Sequence, residues 1–440
     1  KKLTVKGDLV HSGGILSIYE GQLIVDGDYR IQSKSISSNG TVSYGASSGR
    51  LQMTKASDDV QVGGHFITHA TLSHEGYLTA GILKINGDFT QKQYMNSYGF
   101  YGSGTHKVVL SGASLQTVTF ESAASRFNIL EITNESEAGV KFTSPLNAVT
   151  FRDNGNKVTF ANDDLLGWTL TEDEIYSGDL HLAGSVLNLA GHKLTVQGNL
   201  IHSGGTIEIN GGELIVTGDY RVQSKKVSAN GTVTYDYSNG YLKMVHDADV
   251  VEVGGQFVMQ SQYSHTGLLT AGTMDVKGNF TQVNRGVSDN FRAQGTHKMI
   301  FSGNQLQTIQ IGGGSNSSFN RLEITNTSAT GVRFASAVYI NKEVLPTTTP
   351  LVDGHNLILM TNASIPWASW PTSLGLDGNR SLQQDLTIDG DLYIYGGTIN
   401  LNGKKLTVKG DLVHSGGILS IYEGQLIVDG DYRIQSKSIS

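Results

Sequence analysis

Residues 1–37 of this chain, KKLTVKGDLVHSGGILSIYEGQLIVDGDYRIQSKSIS, return without a single change at 404–440. A diverged copy, HKLTVQGNLIHSGGTIEINGGELIVTGDYRVQSKKVS, occupies 192–228. Repetition at this scale constrains the fold more than any local propensity, because each copy must pack against its neighbours in the same way. The likeness runs past these openings: LTAG at 78–81 and 269–272, GTHK at 104–107 and 295–298, LQT at 115–117 and 306–308, and LEITN at 130–134 and 322–326. The chain therefore reads as a first repeat unit over 1–191, a second over 192–403, and the start of a third over 404–440. The second unit is the longer, by one turn's worth of residues, nearly all of it between Phe334 and about Gln384. An insertion of that size is expected to add one layer without shifting the layers on either side. The unchanged overlap implies a parent polymer whose period is the offset from Lys1 to Lys404, of which this chain is an internal segment.

Inside each unit lies a shorter beat. Gly390-Asp391, Gly410-Asp411 and Gly430-Asp431 recur at one fixed interval, and Gly178-Asp179, Gly198-Asn199 and Gly218-Asp219 keep the same one. Between these marks apolar residues alternate with polar ones: Leu3 and Val5, Leu9, Leu16 and Ile18, Leu23 and Val25, Tyr29 and Ile31. Period-2 patterning in short segments cut by glycine is the signature of half-buried strands. About three such strands per ~20 residues make one turn of a parallel β-helix. The expected fold is all-β: a right-handed parallel β-helix, or β-solenoid, with ~20-residue turns and irregular loop insertions. Leu3 should lie over Leu23, Val5 over Val25 and Leu9 over Tyr29. Glycines should occupy corners needing positive φ, with the following Asp or Asn forming side-chain ladders. Residues 40–66 and 88–104 lose the beat and are expected to form wider turns or loops leaving the shaft. The segment 341–375, which holds four of the five prolines together with Trp367 and Trp370, is expected to be irregular likewise.

Composition narrows the function. Only 16% of residues are charged and the formal net charge is -7, which offers no basic surface for nucleic acid or anionic membrane. No apolar run approaches the ~18 residues of a membrane span. Cysteine is absent, so neither a disulfide scaffold nor a thiolate metal site is available.

The phrases LTVxGxLxxSGGxxxIxxGxLxVxGDYRxQS, GTHKxxxSGxxLQT and FNxLEITNxSxxGVxF resemble the repeats of giant tandem-repeat bacterial cell-surface and adhesin-like proteins, filamentous-haemagglutinin-like in the broad sense. The resemblance covers nearly the whole chain. It implies secretion, an extracellular or cell-surface location, and a structural filament with no motif residues for catalysis or ligand binding. The partners it implies are further repeats of the same chain or self-association, with a glycan or other surface ligand as the alternative.

The thirteen histidines are the first candidates for chemistry. His11, His202 and His414 share one position, which Ile31 and Ile394 occupy in neighbouring turns, so the position should face inward. His74 and His265, in Ser-His-x-Gly, and His106 and His297, in Gly-Thr-His-Lys, also recur. Recurrence favours a turn or stacking role, since an active site is normally needed once. Carboxylates cluster at Asp58-Asp59, Asp163-Asp164 and Glu172-Asp173-Glu174 without the spacing of a calcium loop, and are expected to be solvated edges or turns. Parallel β-helices also suit polysaccharide-degrading enzymes, but paired copies exchange polar residues freely, His65 for Gln256 and Glu75 for Thr266. The expectation is thus a non-enzymatic protein with no catalytic, cofactor-binding or metal-ligating residues. The aromatic stretch 94–101 and the pair Trp367 and Trp370 are the candidates for stacking on sugar rings, though a role in capping or covering the shaft is favoured.

Overall fold

The computed structural model describes residues 1–435 except 96–97, 155, 161–167, 185, 229–230, 285, 346, 362 and 365–367. Its regular structure is almost entirely short parallel strands, with two single 3-10 turns at Gly314–Asn316 and Gly354–Asn356. They form a β-solenoid of about 19 turns in all, with a mean spacing near 22 residues. The chain divides into two compact units, Lys1–Gln197 and Gly198–Ser440.

In the first unit two seven-stranded parallel sheets form two sides of the coil. One runs from Lys2–Val5 through Gln22–Val25, Asp59–Val62, Ile82–Ile85, Lys107–Leu110 and Phe127–Ile132 to Ala148–Arg152. The other runs from Leu9–Val10 through Tyr29–Ile31, Phe66–Thr68, Phe89–Gln91, Gln116–Phe120 and Val140–Phe142 to Val158–Phe160. The third side is looser, with Ile15–Ser17 paired to Arg50–Gln52 and beyond them isolated bridges such as Met53 to Leu78.

The expected columns are present. Leu3 pairs with Leu23, Val5 with Val25 and Leu9 with Tyr29. The first column continues through Val60, Leu83, Val108, Leu130 and Phe151, all but Leu3 buried. A column forms because a parallel ladder brings side chains of successive turns ~4.8 Å apart on the same face, so an inward position stays inward at every layer. Each buried aliphatic or aromatic side chain contributes roughly 1.5–3 kcal/mol. The second column becomes aromatic: Tyr29, Phe66 and Phe89 follow one another, and Phe100 and Phe127 close on them with ring centroids 4.8–5.9 Å apart.

The Gly-Asp corners work differently from expectation. Positive φ is found at Gly14, Gly40 and Gly81 and, as expected of a Gly-Asp corner, at Gly178, but not at Gly27, Gly64, Gly410 or Gly430. These glycines are required by close approach. A Cβ on Gly27 would lie 2.3 Å from Asp8 Oδ1, and one on Gly64 would lie 2.4 Å from Asp28 Oδ1. The crowding follows from the ladder foreseen in the Gly-Asp repeat. Asp28 N donates to Asp8 Oδ1 at 2.8 Å and His65 N donates to Asp28 Oδ1 at 2.8 Å. Asn199, Asp219, Asp391 and Asp411 repeat the arrangement in the second unit. Each carboxylate or amide takes a corner N–H of the next turn, and the space it fills is the space a side chain would need.

Three segments depart from the even coil. The step from Leu23 to Val60 is long because an antiparallel hairpin, Ser33–Ile36 with Val42–Gly45, leaves the coil. It starts inside the repeated opening, earlier than the expected residue 40, and the coil is back in register by Phe66. Ser224–Val227 with Val233–Asp236 is its counterpart in the second unit. In both, an arginine of the coil holds the hairpin: Arg30 lies 4.8 Å from the centroid of Tyr44, and Arg221 lies 4.8 Å from that of Tyr235. The second excursion is shorter than 88–104, since Phe89–Gln91 is in register and Phe100 is a core residue.

The third segment, 341–375, is a run of tight turns rather than a loop. Val338 pairs with Leu357, Ile358 with Gly375 and Leu374 with Leu392, each step shorter than the mean turn. The extra residues therefore do not add a neutral layer. Glu213–Val216 and Gln425–Val428 are equivalent in sequence, yet they lie in different sheets of the second unit. The sheet that begins with one type of strand ends with Leu392–Gly396, Leu412–His414 and Tyr432–Ile434, strands of the Gly-Asp-Leu type. The succession of short turns advances the coil by one side, and Trp370, paired with Ile388, fills its interior there.

Because the Gly64 corner has no room for a methyl, Gly64→Ala should lower stability by about 1–3 kcal/mol. The urea midpoint of the variant against the wild type measures this, and an unchanged midpoint would refute the close-approach account.

Candidate functional site

Seven of the thirteen histidines recur between units and fall into three groups, each explained by the coil. His202 is fully buried beside Tyr220. Its Nε2 lies 3.1 Å from the Gly205 carbonyl and its Nδ1 lies 3.2 Å from the Tyr220 hydroxyl. The carbonyl only accepts, so Nε2 carries the proton and the tyrosine hydroxyl donates to Nδ1. His11 with Tyr29 and His414 with Tyr432 repeat this pairing. His74 and His265 are fully buried and accept a backbone N–H at Nε2, from Leu51 at 3.3 Å and from Leu242 at 3.1 Å. His106 and His297 are fully buried, and neither ring nitrogen has a partner. They lie edge-on to Phe100 and Phe291. Burial lowers all four of these imidazoles, His74 and His106 to about 3 and His265 and His297 to about 4.

Of the carboxylates expected at solvated edges or turns, Asp58 and Glu174 depart from that by being buried. Asp58 is buried and accepts N–H groups from Glu20, Thr54 and Lys55. Asp249 does the same with Gly211, Val245 and His246. Both tie a corner to its neighbours, which is why each stands once in each unit. Asp163 and Asp164 lie outside the described residues. Asp173 is exposed, Glu172 pairs with Arg152, and Glu174 is buried in a column position over Leu194. Burial, then the charges of Asp153 and Glu172, push Glu174 up to about 7, against the pull of Arg152. Among the described residues no group of three or more His, Asp or Glu side chains is arranged to hold a metal ion.

The polar residues of the repeated phrases are corner ties as well. Gln116 Nε2 donates to the Ile85 and Gly87 carbonyls and its Oε1 accepts from Gly112 N. Gln307 makes the same three bonds with Val276, Gly278 and Gly303. Asn134 and Asn326 reach these glutamines from the next turn, at 3.0 and 2.8 Å. Such residues satisfy backbone groups that the corners leave unpaired inside the coil.

The aromatic candidates divide. Trp370 is fully buried and unavailable to a ligand, while Trp367 lies outside the described residues. In the 94–101 stretch Phe100 is core, whereas Tyr94 and Tyr98 are exposed. Two stacked tyrosine pairs were not singled out in the sequence, Tyr241 with Tyr263 at 5.1 Å and 10°, and a second pair on one strand. On Leu392–Gly396 the outward residues Tyr393 and Tyr395 stack at 6.1 Å and 16°, with His355 5.2 Å from Tyr393. Tyr395 also packs against a cluster of Ala337, Tyr339 and Ile358. The signal was there to read: Leu392 and Ile394 take the inward positions, so both outward ones are aromatic where the equivalent strand of the repeated opening carries Val10 and Ser12.

Comparison with protein-family models, with curated proteins and with solved structures found no match to this chain.

The lowered histidines fix a sign for acid behaviour. Each is neutral in the fold and charges more readily when unfolded. Its contribution is therefore fully present above pH 6.5 and is lost as pH falls toward 3–4. Between those limits stability should drop by ~1.4 kcal/mol per pH unit per histidine. Glu174, raised rather than lowered, acts in the opposite sense but is one group against four. The urea midpoint should fall steadily from pH 6.5 to 4.5, and less so in the double variant His106→Leu, His297→Leu. Equal slopes for the two proteins would contradict the assignment.

Proposed function

We propose that this chain is a structural component of an extracellular fibre, stalk or surface filament built from tandem β-solenoid repeats. The observation that carries this reading is where the repeated polar residues sit. Asp58 and Asp249, Gln116 and Gln307, Asn134 and Asn326, and the Gly-Asp corners all bind one turn to the next. What the units keep in common is the means of stacking, down to the turn-to-turn ion pairs of Lys107 with Glu131 and Lys298 with Glu323. The mechanism is mechanical: backbone hydrogen bonds run from turn to turn, apolar columns close the interior, and length follows from the number of turns. The bacterial cell-surface repeat proteins that the motifs resemble supply the location. Antibody raised against the chain should label thin filaments outside intact source cells in electron micrographs, and label confined to the cell interior would overturn the reading.

The stacked pair Tyr393 and Tyr395 supports a second reading, an adhesive surface that binds glycans. Two rings presented on one strand offer flat apolar faces to a sugar ring. A glycan array should then show binding by the wild type that falls at least tenfold in Tyr393→Ala, and a wild type that binds nothing would end this reading.

A further inference from the structure

The chain holds seven Asn-Gly pairs, beginning at Asn39, Asn86, Asn154, Asn210, Asn230, Asn239 and Asn402. Asparagine before glycine is the pair in which the backbone most readily attacks its own side chain, because glycine has no Cβ to keep its nitrogen from the neighbouring amide carbon. The fold treats these pairs unequally. In the coil the glycine nitrogen is held by another turn or by its own strand. Gly87 N donates to the Gly64 carbonyl at 2.9 Å, Gly211 N to Oδ1 of the buried Asp249 at 2.6 Å, and Gly403 N to the Tyr422 carbonyl at 3.1 Å. Gly240 N donates to Ser238 Oγ at 2.7 Å, inside a strand paired with Gly204–Glu208. Gly155 and Asn230 lie outside the described residues.

Asn39-Gly40 stands apart, at the tip of the hairpin of Ser33–Ile36 with Val42–Gly45, where every residue from 34 to 45 is exposed. Gly40 N donates only within the tip, to the Ser37 carbonyl at 2.9 Å, and a Cβ on Gly40 would meet nothing within 4 Å. Asn39 Oδ1 accepts from two donors, the Thr41 N–H at 3.0 Å and the Ser37 hydroxyl. We propose that Asn39-Gly40 is a self-modifying site, at which the chain converts its own asparagine to aspartate or isoaspartate with water as the co-reactant. Gly40 N gives its proton to water and bonds to Asn39 Cγ. Negative charge develops on Oδ1, where the Thr41 N–H and the Ser37 hydroxyl already point. The Cγ–Nδ2 bond then breaks, ammonia leaves with a proton from water, and a cyclic imide remains. Water opens the imide at either carbonyl, restoring an N–H and leaving a carboxylic acid, and nothing is oxidised or reduced. Both products add a negative charge at the tip. Isoaspartate also lengthens the backbone by one methylene, which shifts the register of the bond from Ser37 N to the Thr41 carbonyl that closes the hairpin.

A hairpin tip opens by giving up a local bond, whereas a coil asparagine reacts only after stacked turns separate. Gly231 repeats Gly40 in the second unit, with φ of 81° against 82° and the same open surroundings. Negative charge therefore gathers on the hairpins as the molecule ages, while the coil keeps its asparagines. Tryptic peptides separate the sites: peptide 35–50 carries Asn39 and peptide 85–92 carries Asn86. The whole chain, incubated in neutral buffer and sampled over days before digestion and mass spectrometry, should gain aspartate and isoaspartate in peptide 35–50 at least tenfold faster than in peptide 85–92. The same incubation in urea, which removes the coil, should bring the two rates together. A gap of less than tenfold in the native chain, or one that survives in urea, would overturn the proposal. Neither result touches the filament reading, because the reaction draws on the tip and water alone.

Discussion

The parallel ladder between successive turns is the constraint on which the rest of this structure depends. Each strand is bound to the equivalent strand one turn away, so position in the turn, rather than position in the chain, decides what a residue touches. Inward positions are then apolar over long runs, as from Leu23 through Val60 and Leu83 to Leu130. Corners must satisfy their own backbone groups, which the Asp8 to Asp28 ladder and the glutamine and asparagine ties do. Glycine at those corners follows from the ladder: the oxygen of the previous turn occupies the place of its Cβ.

The same constraint explains why the chemically suggestive residues lead back to architecture. A histidine that recurs at one position, such as His202, finds both ring nitrogens engaged by a tyrosine hydroxyl and a carbonyl. A carboxylate that recurs, such as Asp58, holds three backbone N–H groups. The stacked tyrosines of Leu392–Gly396 stand where the first unit carries His181 and Ala183, and such outward places can vary without disturbing the stack.

Much of the coil was legible because two periods coincide in the sequence. Alternation names the inward residues, and the Gly-Asp beat says which of them meet, so Leu3 over Leu23 and Leu9 over Tyr29 follow directly. What was not legible depends on the summed length of several turns. No single residue in 338–392 announces that a succession of short turns will advance the coil by one side and carry Trp370 inward. The hairpin at Ser33–Ile36 hides inside the repeated opening, because its alternation is that of a strand whether it stays in the coil or leaves it. Corner glycines such as Gly27 and Gly410 were found for the wrong reason, whereas Gly178 was not: glycine marks both a left-handed turn and a close approach, and only the neighbouring turn distinguishes them. Among the carboxylates, burial of Glu174 could not be read from its run of three acids, since only one of them falls on a column.

If turn-on-turn stacking is the basis of the molecule, its strands lie across the long axis of any fibre it forms. Diffraction from a flow-aligned, concentrated sample tests this directly. The account predicts an axial reflection at ~4.8 Å, the spacing of successive layers. A sample in which that spacing appears only at right angles to the axis would contradict it.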